Sequence, residues 1–443
     1  MKSVVNIPSA SPSRRVWLHV GTLLDGTSTT PARDAHVVYD SNRIHFVGTN
    51  GQQPPANAIN SGQTAPDVVA PDAALLPGLI EAHAHLFLEG GELDFEKRSA
   101  YLKQSPDELL AAAQPRLAQL VTLGITAVRD AGDKDGVGLA LSRQYKESSS
   151  ASQVGRELAR APSRPLMPYL DSPGAAIHHE GRYGKFMGGT IEAHGSVEAT
   201  VASRVAEGAD RIKLLPTGII NFKKGLVTAK PQMDTAEVTA IVAAAKRHGR
   251  QTFAHSSGDL GIDHAIDGGV DSIEHGFFLR DDQLAKLRDR QIAWVPTFAP
   301  VQKQVDEAER MGWDEEIIGH LQRILDNHAR TLVKAHEMGV LIIAGSDAGS
   351  VGVAHGLGFL WELELMERAG LPTHAVLNAA TGVSAARLAY ADPIGRIAVD
   401  HKPRLILTEA PVLDSVTHLR APKTVIFDNQ VVHHTADFDP TGL

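Results

Sequence analysis

Cysteine is missing from all 443 residues. Its absence excludes disulfides and thiolate ligands, so a bound metal would have to sit on histidine, carboxylate or a modified side chain. Basic residues are in deficit: 43 Lys and Arg against 52 Asp and Glu leave a formal charge of −9. With no cationic excess to neutralise phosphates, neither a nucleic-acid nor an anionic-membrane partner is expected. Long apolar runs are lacking too, since no stretch approaches the roughly 18–20 residues of a spanning helix. The short run that follows Arg14-Arg15 is interrupted by His19 and has no small-residue cleavage site after it. A cytoplasmic location, a small-molecule substrate and a homo-oligomeric assembly are the expectations.

What is present is the composition of a globular protein, 43% hydrophobic and 21% charged with a mean hydropathy of −0.12. The length predicts two domains, one of them a large barrel. β-type patterning covers 16–24, 35–39, 44–47 and 68–70, and returns near the C-terminus at 397–399, 404–408 and 424–432, where Asp428-Asn429 makes a turn. Both ends therefore build one discontinuous β-sandwich domain, 1–77 plus 395–443. Between them, 78–394 alternates short apolar strands (78–85, 125–131, 165–171, 211–215, 251–256, 270–275, 292–297, 340–347) with amphipathic helices. That spacing indicates parallel βαβ units, and eight of them predict an α/β fold, a (β/α)8 TIM barrel. The stretch 142–164 reads as a long loop or part of a helix.

The candidate site begins at His83-Ala84-His85. Residues i and i+2 of a strand share a face, so the two imidazoles can hold one divalent metal. Alone the pair means little, because 21 histidines produce about one His-x-His by chance. Barrel chemistry sits at the C-terminal strand ends, however. The other predicted ends carry Lys213, His255, His275 and Asp347, so four histidines, a lysine and an aspartate converge on one mouth. Separately, Lys213 could be an ordinary ion-pair residue and Asp347 a helix cap.

With those residues in place, the chain resembles the amidohydrolase superfamily, in its imidazolonepropionase-like and Xaa-Pro-dipeptidase-like branch with a binuclear metal centre. The matching stretches are Leu76-Pro77-Gly78-Leu79-Ile80-Glu81-Ala82-His83-Ala84-His85, 124–130, Ile212-Lys213, 272–276, 345–349, His355-Gly356 and 379–381. Glu81 and Arg404 depart from the family pattern, which has Asp at both places. The resemblance implies that His83, His85 and Asp347 hold one ion and His255 and His275 the second, with Lys213 carboxylated on its amine and bridging both. It implies two divalent ions, Zn2+ first and Mn2+ or Co2+ as alternatives, with a bridging hydroxide as nucleophile and Asp347 as general base and then acid. The reaction is then hydrolysis of an amide-type C–N bond: a dipeptide, an N-acyl amino acid, or a xenobiotic amide, carbamate or urea. A cyclic-amide hydrolase or deaminase is the nearest alternative, although deaminases usually carry a Glu where this chain has Gly258. A non-catalytic scaffold is the remote one.

Substrate contacts are sought in the Gly-rich stretch after the third strand, with His178, His179 and Tyr183 as candidates, and at His355. Arg129-Asp130 is expected to form a structural ion pair below the site. His248, His264, His328 and His336 fall on helices and read as packing or surface residues. His433-His434 is placed in the C-terminal tail.

Overall fold

The computed structural model describes residues 5–154 and 166–435. Its strands are β1 (Val16–Leu23), β2 (Ala32–Tyr39), β3 (Ile44–Gly48), β4 (Val68–Pro77), β5 (Leu79–Ala84), β6 (Ile125–Asp130), β7 (Tyr169–Asp171) and β8 (Ala176–His178). Then follow β9 (Gly188–Thr190), β10 (Ile212–Leu214), β11 (Thr252–Ser256), β12 (Ser272–His275), β13 (Ala293–Val295), β14 (Arg404–Thr408), β15 (Lys423–Phe427) and β16 (Gln430–His434). The chain divides into two compact units. One is Met1–Ile80 with Ala118–Ala127 and Pro372–Leu443, and the other is Glu81–Leu117 with Val128–Leu371.

In the first unit both chain ends join one continuous seven-stranded sheet, ordered β16-β15-β14-β4-β1-β2-β3. Alternation in β1 puts Val16, Leu18 and Val20 on one face, where they share an apolar core with Val37, Leu75, Leu405 and Ile426. Arg404 is buried in this unit, with its guanidinium 3.0 Å from Asp428. Two expectations are corrected here. Residues 397–399 form no strand, and His433 and His434 belong to β16, opposite Thr424 and Lys423, so they are not a tail.

In the second unit β8 and β10–β13 pair in parallel within a six-stranded sheet, ordered β13-β12-β11-β10-β8-β9. Every residue of β10, β11 and β12 is buried, as expected for a parallel sheet covered on both faces. A second ladder is ordered β5-β6-β7. The expected last strand, 340–347, forms no regular ladder. It instead carries Ile343 N to Trp294 O (3.0 Å) on one side and Asp347 N to His83 O (2.8 Å) on the other. The described ladders therefore show parallel α/β organisation and do not close into eight regular strands. Two short strands, β8 and β9, lie where the sequence pattern indicates no strand.

The helices follow their capping residues. Asp314 caps the helix Glu315–Glu337 by accepting from Ile317 N, and the first turn is acidic while the last is basic, matching the helix dipole. Its buried stripe of Ile317, Leu321, Ile324, His328, Leu332 and Ala335 repeats every three or four residues. Of the ambiguous stretch 142–164, the part to Val154 continues the helix Val137–Val154, and the remainder lies outside the described residues. No helix among the described residues is long and apolar enough to cross a membrane.

Candidate active site

His83 and His85 leave β5 on the same face, with ring centroids 5.6 Å apart. The ring of His275 stands 5.1 Å from that of His83 and 4.5 Å from that of His255. Asp347 Oδ1 lies 3.5 Å from His83 Nε2 and 3.6 Å from His85 Nε2. Lys213 Nζ is 3.5 Å from His83 Nε2 and 4.9 Å from the centre of the Phe253 ring. The six residues singled out from strand ends thus meet in one place, all within the second unit.

Alternation alone does not bring them there. His275 directly follows Glu274, and neighbours on a strand point to opposite faces. Yet both reach His83, because His275 adopts a left-handed backbone (φ 68°) that ends the alternation. Asp347 (φ 55°) and Thr297 (φ 52°) do likewise. For β-branched Thr297 this is an outlier, and such residues store about 1–3 kcal/mol each, held by the surrounding structure.

Hydrogen bonds set the ring tautomers. His83 Nδ1 lies 2.6 Å from Glu274 Oε2, a carboxylate oxygen that accepts only from a protonated nitrogen. His85 Nδ1 donates to Gly132 O (2.9 Å). Thr297 Oγ1 donates to Pro296 O, so it accepts from His275 Nδ1 at 2.8 Å. Three imidazoles therefore keep the Nε2 lone pair free, the form in which histidine ligates metal. His255 Nε2 stands 3.4 Å from Gly218 O. Burial, reinforced by Lys213, pushes His85 and His255 down to about 3. His83 also lies well below its usual value, by burial and then the charge of Lys213. Burial lowers Lys213 to about 8 and raises Asp347 to about 7. Within the described residues Asp347 Oδ2 accepts from Ser350 Oγ (3.0 Å), which leaves Oδ1 facing the histidines.

A layer beneath holds these groups. Arg129 donates through Nη2 to Glu274 Oε2 (2.7 Å), through Nη1 to Ser272 Oγ (3.0 Å) and through Nε to Ala82 O (2.6 Å). The expected Arg129-Asp130 pair is not formed. Adjacent strand residues face opposite ways, and Asp130 instead accepts from Ser172 Oγ, Leu86 N and Gly132 N. Glu81, where the family pattern has Asp, accepts from Ser346 N and Oγ and from His83 N. Sequence reading missed Glu274, although its position two residues after Ser272 and directly before His275 in a buried strand was a usable signal.

The cavity above the site, about 250 Å3, is lined by His85, Lys213, His255, His275 and Asp347 together with Tyr183 and several apolar side chains. Tyr183 packs its ring 5.2 Å from His255, and burial followed by the charge of Asp347 raises its phenol. The other expected substrate residues do not line the cavity. His178 Nδ1 donates to His179 O (2.8 Å), and His179 is held between Glu192 (2.7 Å) and Glu237 (2.8 Å). His355 is buried with Nε2 2.8 Å from Leu88 O. A separate group in the first unit, His19, Asp34 and His36, has ligand-type spacing. There Trp17 Nε1 donates to His36 Nδ1 (3.1 Å), which leaves the proton of that neutral ring on Nε2, the nitrogen facing Gln53.

The sequence profile of the amidohydrolase family matches residues 74–435. The chain belongs to that family. Among curated proteins it is similar to the ochratoxinase of Aspergillus niger, 24% identical over 433 residues, 95% of this chain and 86% of that protein. It is also similar to the imidazolonepropionase of Pseudomonas aeruginosa, 29% identical over 167 residues, 33% of this chain and 39% of that one. Among solved structures, a Xaa-Pro dipeptidase with bound methionine superposes with a TM-score of 0.74 at 25% identity, covering 95% of this chain and 100% of that one. The protein is accordingly a hydrolase of the amidohydrolase fold, and amide C–N hydrolysis is the general chemistry its family supports.

Proposed function

We propose that the chain is a binuclear metal-dependent amidohydrolase cleaving an amide-type C–N bond in a dipeptide, an N-acyl amino acid or a related amide, carbamate or urea. The observation that carries this reading is the set of three Nε2 lone pairs, each fixed by an acceptor on its own Nδ1, gathered with Asp347. His83, His85 and Asp347 would hold one divalent ion and His255 and His275 the other, with Zn2+ best suited to imidazole and carboxylate donors. Lys213 is buried among the ligands, 3.5 Å from His83 Nε2 and without an ion pair within 4 Å among the described residues, which suits an amine that would be carboxylated and serve as a further ligand. Bound there, the ions would polarise the scissile carbonyl and acidify the attacking water. The Asp347 carboxylate takes the proton of that water and passes it to the leaving nitrogen as the C–N bond breaks. Tyr183 offers its phenol O–H to the substrate from the cavity wall.

The finer architecture belongs to the same proposal: a (β/α)8 barrel over 78–394 and a composite β-sandwich from 1–77 plus 395–443. Its barrel part is supported by the bonds of the segment 341–348 to both β13 and β5. Deamination has less support. At Gly258 a side chain would begin 3.1 Å from Val227 in a left-handed backbone, and no carboxylate stands there.

Asp347→Asn tests the assignment. In zinc-loaded protein we expect kcat on any amide substrate to fall by about 10²–10⁴-fold with the circular dichroism spectrum unchanged. Near-wild-type turnover in the variant would remove Asp347 from the role given to it.

A further inference from the structure

The cavity is apolar on most sides. Phe186, Ile219, Phe222, Phe277, Pro300 and Val301 line it, and Ile219 is 53% exposed at the surface. Its volume of about 250 Å3 exceeds the roughly 150 Å3 that accepts benzene in a protein core. Such a wall favours a substrate with a large apolar group and says nothing about charge.

Charge enters through one residue. Apart from Lys213, which lies among the proposed ligands, Arg98 is the only Lys or Arg among the described lining residues. It projects from the short helix Phe95–Tyr101 and is partly buried. Nη2 donates to Gly349 O (2.9 Å), two residues from Asp347, and Nη1 reaches Glu92 O only at 3.5 Å. Among the described residues Arg98 has no carboxylate within ion-pair distance. Glu89 and Glu92 are near, but they line a separate cavity on which Arg98 also borders. Glu89 Oε2 accepts from Glu92 N (2.6 Å), and Glu92 takes Lys97 Nζ (3.2 Å) and the backbone N–H groups of Leu93 and Asp94. A guanidinium half withdrawn from water and tethered by a carbonyl in the cavity wall, with the charges of Glu89, Glu92 and Asp347 nearby but none of them paired to it, is placed to receive a substrate carboxylate.

We propose that Arg98 determines specificity by binding a substrate carboxylate, so that the preferred substrates are N-acyl or N-aminoacyl amino acids with a large apolar group rather than neutral amides, carbamates or ureas. This inference rests on the hydrolase reading for turnover but not for binding, and the test separates the two. N-benzoyl-phenylalanine and its C-terminal carboxamide differ only in the charge Arg98 would read.

Calorimetric binding of each compound to metal-free protein, where no turnover intervenes, is measured for wild type, Arg98→Ala and Arg98→Lys. Wild type should bind the acid about 10–100-fold more tightly than the carboxamide, the scale of a charged hydrogen-bonded pair. In Arg98→Ala that ratio should collapse toward one, and Arg98→Lys should restore part of it. In zinc-loaded wild type the same preference should appear in kcat/KM, carried mainly by KM. Equal binding of acid and carboxamide by wild type, failure of both to bind, or an unchanged ratio in Arg98→Ala would each overturn the proposal. Neutral substrates cleaved as fast as acids would leave the hydrolase standing and remove Arg98 from specificity. An Arg98-dependent preference in binding without hydrolysis by the loaded protein would leave Arg98 in place and refute the enzymatic reading.

Discussion

Glu274 fixes the position and tautomer of His83. One carboxylate oxygen meets both His83 Nδ1 and Arg129 Nη2, and the other accepts from Ser272 Oγ. A buried carboxylate with these partners is satisfied at every oxygen, and it holds the imidazole with Nε2 turned toward the site. Glu274→Gln keeps the shape but can present its amide N–H where an acceptor is needed, so His83 loses its orientation and Arg129 its counter-charge. Zinc affinity should drop by about 10–100-fold in a competition titration against a chromogenic chelator. Unchanged affinity would mean that Glu274 only packs. At this scale much was legible. His83 and His85 followed from strand alternation, and the strand-end positions of Lys213, His255, His275 and Asp347 followed from the periodic pattern. The position of Glu274 beside His275 offered a signal, but its contact with His83 across 191 positions of chain was not legible, and neither was Arg98, which reaches the cavity from a helix with no chemical motif.

Among the elements, the segment 341–348 is where regular patterning and real geometry part. It covers most of the strand expected at 340–347 and is bonded on both sides, to Trp294 and to His83, but its backbone turns left-handed at Asp347. The turn aims the carboxylate at the imidazoles, which a continuing strand would not do. Close approach is needed to make it. A Cβ on Gly345 would lie 2.7 Å from Val295 Cγ1 and 2.8 Å from His83 N and Cβ, on both neighbours at once. Gly345→Ala should therefore destabilise the protein by about 1–3 kcal/mol in urea unfolding and shift His83 enough to weaken zinc binding as well. Full stability in the variant would show that this packing gives way more readily than the distances imply. Strands β8 and β9 escaped sequence reading for a related reason. They are three residues long, and β9 is Gly-Gly-Thr, with no alternation to detect.

For the whole molecule, the division into units bears on stability. Every proposed ligand lies in Glu81–Leu117 or Val128–Leu371. Metal that binds only the folded state adds about 4 kcal/mol at a thousandfold excess over its dissociation constant. Dialysis against a chelator should lower the thermal unfolding of that unit by several degrees and leave the sheet unit's transition where it was. Metal analysis before dialysis should find about two ions per chain. Protein with no bound metal and a thermal profile indifferent to zinc would sink the metal assignment.

The sequence by itself determined what local pattern and composition can determine. The lack of cysteine confined any ligands to histidine, carboxylate and lysine, apolar periodicity set the alternation of strand and helix, and strand ends nominated the six residues that converge. Tertiary structure decided the rest. It sent Arg129 to Glu274 rather than to its neighbour Asp130, engaged His178 and His179 away from the cavity, and put His434 in a strand. It also set the tautomers of three imidazoles and brought Arg98 to the cavity wall. Each of these depends on which groups meet across the fold, and burial makes an unmet polar group costly enough that the packed chain, not local spacing, selects the partner.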